Sequence, residues 1–277
     1  MSATTTAGAP TASVNTPVGT AGAITTVGAV ALRTGLKILR SPQILGIAIA
    51  QSVLFLLMFR YVLGGAISTS GSSYVNYFTP GFVVVTVLFN AGGGAVAVAE
   101  EAAAGLYDRL RSLPIPDAAV LAGRALADAA LVFGVAVITL GLGFAVGFRS
   151  SASAAQWITA IALLALVSIT TGLIFVWVGL ASGSAQAANG LGLISVPFSF
   201  LSSAFVPIDS MPGVVQAFAK WQPLTFFTDS WRGLLLGPSV TDTLDHPLAF
   251  SVVGSLIWCA VLALVATPLA LRSYRKD

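Results

Sequence analysis

The side chains able to do chemistry are few enough to take one at a time. The single histidine, His246, lies in the run Asp242-Thr243-Leu244-Asp245-His246-Pro247, the one place where a Ser-His-Asp relay could be assembled. No nucleophile-elbow pattern accompanies it, so it reads as a hydrogen-bonded loop histidine. One histidine also excludes a multi-His metal centre within the chain, and the lone Cys259 can form neither an internal disulfide nor a Cys-rich metal site. No Gly-rich loop leads into Lys-Ser/Thr, so the chain has no P-loop to cradle phosphates and cannot power itself with ATP.

What remains is charge. The densest cluster is Glu100, Glu101, Asp108, Arg109, Arg111 and Asp117, interleaved with Leu106, Tyr107, Leu110 and Leu113. Mixed signs among apolar residues suggest a docking surface, and Pro114 and Pro116 would stop the short helix that carries it. Gly105 would allow close backbone approach there. Arg124 and Asp128 lie one helical turn apart and can pair. Asp128 is the one deep ionisable group, and such groups usually mark ion pathways, but a single shallow acid beside an arginine is poor support for a proton-coupled carrier. Asp229 and Arg232 are three apart and form a second expected pair, stabilising its helix rather than binding cargo. Arg33, Lys37 and Arg40 recur at i, i+4 and i+7, with Leu32, Leu36 and Leu39 one position earlier. That pattern makes a basic amphipathic helix, held to anionic lipid heads at about 1 kcal/mol per cation, with a break at Ser41-Pro42.

The elements that position these groups must be membrane helices. Of 277 residues 56% are hydrophobic and only 8% charged, against about 25% charged in soluble domains. The net charge of +3, with no basic run interleaved with aromatics, argues against nucleic acid. At roughly 20 apolar residues per crossing, spans are expected at about 43–63, 80–99, 120–147, 157–181, 188–206 and 248–271. The fifth is interrupted by Asn189, Ser195 and Pro197. Residues 1–27, rich in Ala, Thr, Gly and Ser, read as a flexible tail, and 28–277 as one transmembrane domain. With both termini inside, one face holds nine cations (Arg33, Lys37, Arg40, Arg109, Arg111, Arg124, Arg272, Arg275, Lys276) and the other four (Arg60, Arg149, Lys220, Arg232). That split predicts cytoplasmic termini in the plasma membrane. Segment 207–247 is punctuated by prolines into helical pieces at about 214–221 and 225–236, expected to dip into the outer interface, where aromatic rings are favoured. Gly143-x-x-x-Gly147 and Gly179-x-x-x-Gly183 permit close helix packing, and Phe198, Phe200 and Phe205 suit either a hydrophobic cargo or ordinary helix packing.

At the charged loop the sequence resembles a known family. The run Ala99-Glu100-Glu101, Gly105, Asp108-Arg109-Leu110-Arg111-Ser112-Leu113-Pro114, then Gly123-Arg124 and Ala127-Asp128, is similar to the coupling region of type-two ABC exporter permeases, most of all their daunorubicin-resistance branch in actinobacteria. The likeness continues at Phe59-Arg60-Tyr61-Val62, Gly64-Gly65, Tyr77, Pro80-Gly81, Ser203-Ala204-Phe205-Val206-Pro207, Met211-Pro212, Gln222-Pro223, Asp229, Arg232 and Gly237, in order over about residues 30–272. The resemblance implies an all-α integral membrane subunit: six transmembrane helices, an N-terminal cytoplasmic amphipathic helix, a coupling helix after span two, and short re-entrant outer helices before span six. It also implies a homo- or heterodimer with a second permease copy or paralogue, and separate ABC ATPase subunits that carry ATP and Mg. This chain would bind no cofactor, catalyse nothing, and export a hydrophobic drug or cell-envelope lipid. The alternative, an ion-coupled secondary transporter, would call for paired intramembrane acids or an inverted repeat, and neither is visible in the sequence.

Overall fold

The computed structural model describes residues 22–63, 74–237, 244 and 246–276. Among them there is no strand. Eleven α-helices follow the chain: α1 (Ala23–Leu39), α2 (Pro42–Met58), α3 (Tyr74–Ala103), α4 (Leu106–Arg111), α5 (Asp117–Ala145), α6 (Ala154–Ala181), α7 (Ala185–Leu193), α8 (Ser195–Phe200), α9 (Gly213–Trp221), α10 (Pro223–Leu236) and α11 (Leu248–Lys276). The expected flexible tail lies outside the described residues up to position 21. Its last five residues correct the boundary, because Ala23–Val27 belong to α1. The Thr25 and Thr26 hydroxyls bond back to the Gly22 carbonyl, and Val27 rests against Gly123 of α5, where a Cβ would come within 2.7 Å of its carbonyl. Gly64-Gly65, Asp242 and Asp245 lie outside the described residues.

Local sequence explains where the helices start and stop. Pro42 and Pro223 open α2 and α10 at N1, where their missing N–H has no intrahelical acceptor to lose. Ser153 and Gln156 form a reciprocal capping box on α6. Gly147 (φ +110°) and Gly183 (φ +68°) lie just beyond the ends of α5 and α6, in a backbone region that favours glycine. The two small-xxx-small spacings thus divide their labour. The first glycine of each faces another helix, Gly143 against Thr79 and Gly179 against Ala95 and Val98, and the second follows the helix end.

Among the described residues five helices are long and apolar enough to cross a membrane: Leu45–Val62, Tyr74–Ala103, Asp117–Ala145, Ala154–Ala181 and Leu248–Lys276. The first ends in a π-helical stretch, Phe59–Leu63. The helix expected at 80–99 begins earlier, at Tyr74, and carries Pro80 inside it. The fifth expected span, 188–206, is not one helix. Pro197 has no N–H for the Leu193 carbonyl, and the segment divides into α7, α8 and a turn-rich stretch. It nevertheless follows α3, with Gly192 against Gly92 and the Ala204 backbone against Gly81.

The second outer helix also departs from expectation. Instead of lying in an interface, α10 is buried from Leu224 to Leu236, among α3, α6 and α11. Leu, Phe and Trp are joined there by Thr225, Thr228 and Ser230, and the charges of Asp229 and Arg232 offset each other. Buried polar groups need partners inside the bundle, and Ser230 meets Ser255 of α11 at 2.9 Å. By contrast α9 exposes Val214, Phe218 and Trp221 in one stripe. A stack of rings fills the core beside α10: Phe59 lies 4.7 Å from Phe78 and 4.9 Å from Phe205, which stacks at 4.5 Å on half-exposed Phe200.

Candidate functional site

The end of α3 delivers the charged cluster. Its last turn closes as the Ala104 and Gly105 amides donate to the Glu100 and Ala102 carbonyls, and Gly105 takes φ +69° to turn the chain into α4. Only Asp108 Oδ2 lies within 4 Å of a Cβ built there, at 3.8 Å, so this glycine supplies the turn rather than a close approach. Two turns later Leu113-Pro114-Ile115-Pro116 ends α4, and Pro116, in extended conformation, precedes Asp117 in the first turn of α5, where a carboxylate suits the helix dipole.

The cluster divides by burial. Glu100, Asp108 and Arg109 are exposed, and Arg111 is half-buried. The Arg111 guanidinium lies 3.4 Å from Asp108 and 5.1 Å from the ring of Tyr274 near the end of α11. Tyr107 turns inward and meets Tyr274 edge to face, ring centroids 5.7 Å apart. Arg275 pairs with Asp117 at 2.9 Å. The α4 corner is therefore clamped to the end of α11, a contact across more than 150 residues that no sequence spacing signals. Burial pushes the Tyr107 phenol up; Arg124 opposes that shift and Glu101 adds to it. Its hydroxyl has no hydrogen-bond partner among the described residues.

Glu101 does not belong to the exposed set. Its carboxylate is buried, salt-bridged to Lys37 of α1 at 2.7 Å and to Arg124 of α5. Arg124, with its side chain only 4% exposed, also donates from Nε to Asp128 at 2.9 Å and from Nη2 to the Gly94 carbonyl at 3.4 Å. A Cβ at Gly94 would come 3.3 Å from the Asp128 carboxyl, so this glycine lets the acid lie against α3. The expected Arg124–Asp128 pair is thus part of a four-group chain with two cations and two carboxylates, which ties α1, α3 and α5 together just before the α4 corner. Direct contacts, with the half-exposed Lys37 balancing the net charge, offset the cost of taking Glu101, Arg124 and Asp128 out of water. The expectation that Glu101 is a polar docking contact is corrected here; facing the bundle, it is a link instead. Lys37 likewise reaches down to Glu101, leaving Arg33 and Arg40 exposed on α1.

At the other end Arg232 and Asp229 sit fully buried, 3.0 Å apart. Arg232 also donates to the Tyr77 and Ser203 carbonyls at 3.1 and 2.7 Å, and its guanidinium lies 3.8 Å from the centroid of the Tyr77 ring. Ser203 Oγ donates to Asp229 at 2.7 Å, and Trp231 Nε1 to the Ala160 carbonyl at 2.7 Å. The pair therefore fixes α10 to α3 and the 203 turn, and Trp231 fixes it to α6. His246 stacks on Phe226, centroids 5.2 Å apart, with Nε2 3.2 Å from the Lys220 carbonyl. No group of three or more metal-ligating side chains occurs among the described residues.

The sequence model of the ABC-2 type transporter family matches residues 25–236, from the start of α1 to the end of α10. The chain belongs to the ABC-2 type transporter family. It is 29% identical over 231 residues to the daunorubicin resistance ABC transporter permease protein DrrB1 of Streptomyces coeruleorubidus, covering 82% of this chain and 78% of that one. To the probable doxorubicin resistance ABC transporter permease protein DrrC of Mycobacterium tuberculosis it is 27% identical over 237 residues, with 83% and 80% covered. Nodulation protein J of Rhizobium leguminosarum bv. trifolii shares 28% over 118 residues, 41% of each chain. The family match thus encloses both buried charge clusters and the α4 corner of this ABC-2 chain, which is a multi-pass membrane permease built on apolar helices.

Proposed function

We propose that the chain is the transmembrane subunit of an ATP-driven exporter, energised by a separate ATPase subunit that grips α4. The observation that carries this reading is the corner itself. A short helix exposes Asp108 and Arg109, anchors Tyr107 beneath it, and follows the end of α3, where Glu100 is exposed and Glu101 is tied to two other helices. A partner that displaces α4 therefore moves α1, α3 and α5 together. ATP and Mg belong to the partner, since this sequence has no phosphate-binding loop. Both termini would face the cytoplasm with α4, and α9 would lie in the outer interface. Arg33 and Arg40 would hold α1 to anionic lipid heads. A second copy or a paralogue would complete the pathway.

The cargo class follows from the relatives' names, which point to drug resistance. A hydrophobic drug or envelope lipid suits walls such as Phe198 and Phe200. Nothing favours the ion-coupled alternative, because Asp128 is already matched by Arg124. The test is co-purification with the ATPase, with hydrolysis and export measured on the same preparations. Arg109→Glu should weaken ATPase binding or uncouple hydrolysis from export while the chain inserts normally. Normal binding, hydrolysis and export in that variant would count against α4 as the grip.

A further inference from the structure

A cavity of about 340 Å³ opens between α1, α2 and α5, away from the α4 corner and from α10. Its lining is apolar, with Leu39, Ile49, Leu131 and Ile138 among its walls. Two facing glycines help to make the space: Gly35 on α1 and Gly134 on α5 line it, and a Cβ built on either meets nothing within 4 Å. Along α5 the lining runs from Ala127 to Ile138, about 16 Å at 1.5 Å per residue. An extended alkyl chain of about a dozen carbons, advancing ~1.3 Å per carbon from its ~1.5 Å bonds, spans that distance.

The charges above the cavity select the occupant. At 100° per residue, α1 turns Gly35, Ile38 and Leu39 toward the cavity and Arg33, Lys37 and Arg40 to the opposite side. Exposed Leu32, Leu36 and Leu39 form the edge between them. Lys37 is taken by Glu101, whereas Arg33 and Arg40 are exposed and make no ion pair among the described residues. A molecule lying against the leucine edge, with an alkyl chain beneath α1, would hold a negative group level with two uncommitted arginines.

We propose that this cavity binds one acyl chain of an anionic phospholipid, with its headgroup at Arg33 and Arg40, as a resident lipid rather than as cargo. The site rests on α1 lying at the inner membrane surface, as proposed above, but not on export. Full-length chain is equilibrated in detergent with equimolar phosphatidylglycerol and phosphatidylcholine, and retained lipid is counted by native mass spectrometry. One phosphatidylglycerol per chain is expected, favoured over phosphatidylcholine by roughly thirtyfold from two surface cations. Arg33→Gln with Arg40→Gln should bring that preference close to one. Gly134→Leu, which has room for its side chain, should reduce retention at least tenfold without lowering thermal stability. Should that variant fail to fold, Gly35→Leu on the facing wall carries the same expectation. Absence of retained lipid, equal retention of the two lipids by the wild type, or full retention in the folded leucine variant would each overturn the proposal. No ATPase is present, so these outcomes leave the exporter reading untouched, and a failure of ATPase docking leaves this site untouched.

Discussion

Replacing Arg124 with glutamine tests the buried charge chain most severely. The guanidinium joins Glu101 to Asp128 and is 4% exposed. In the Arg124→Gln variant Glu101 keeps Lys37 at 2.7 Å, but Asp128, whose side chain is 7% exposed, loses its cation. An uncompensated buried charge costs about 3–5 kcal/mol. At about 1.4 kcal/mol per tenfold, the folding constant should fall by roughly a hundredfold to a few thousandfold. Adding Asp128→Asn removes the stranded charge, and the remaining loss is that of hydrogen bonds at about 1–2 kcal/mol. The double variant should therefore be more stable than Arg124→Gln alone, a reversal that additive contributions cannot give. Reversible unfolding in mixed micelles, followed by tryptophan fluorescence, measures both single variants and the double. A cost below about 1 kcal/mol for Arg124→Gln, or strict additivity in the double, would mean that water solvates these groups and no such strut exists.

Arg232→Lys keeps a charge for Asp229 but loses the planar fork that also reaches the Tyr77 and Ser203 carbonyls. It should cost about 2–4 kcal/mol in the same unfolding assay. Exchanging Asp229 and Arg232 should also destabilise the fold, because those carbonyls stay where they are. Gly81→Ala places a Cβ 2.5 Å from the Ala204 carbonyl and should lower the melting temperature, whereas Gly141→Ala meets nothing within 4 Å and should raise stability by about 0.5–1 kcal/mol. The raised pKa of Tyr107 means that the fold favours its neutral phenol. Its contribution is complete below about pH 10, the unfolded value, and is lost as pH climbs toward the folded one. Tyr107→Phe should therefore shift alkaline unfolding, followed by circular dichroism, to higher pH.

Much of the fold was legible because lipid leaves few choices: long apolar runs must be helices, and prolines and glycines marked the ends of α4, α9 and α10. The break at Pro197 was visible as an interruption, but not the loss of a continuous helix over 188–206. Burial was harder to read. Asp229 and Arg232 looked like an exposed pair because their hydrogen-bond partners, Tyr77 and Ser203, lie far away in sequence. Glu101 and Glu100 are neighbours of identical local character, and only helix phase separates the one facing Arg124 from the one facing outward. Tyr107 stood out as an aromatic in a charged loop, while its contact with Tyr274 had no local signal.

The central claim is that α4 presents its exposed charges to an ATPase while Glu101 faces inward to the bundle. A photo-crosslinking amino acid at position 109, and separately at position 101, in chain co-expressed with its ATPase examines both halves at once. The account predicts a crosslink to the ATPase from position 109, and crosslinks only within the chain from position 101. A crosslink to the ATPase from 101 with none from 109 would contradict it.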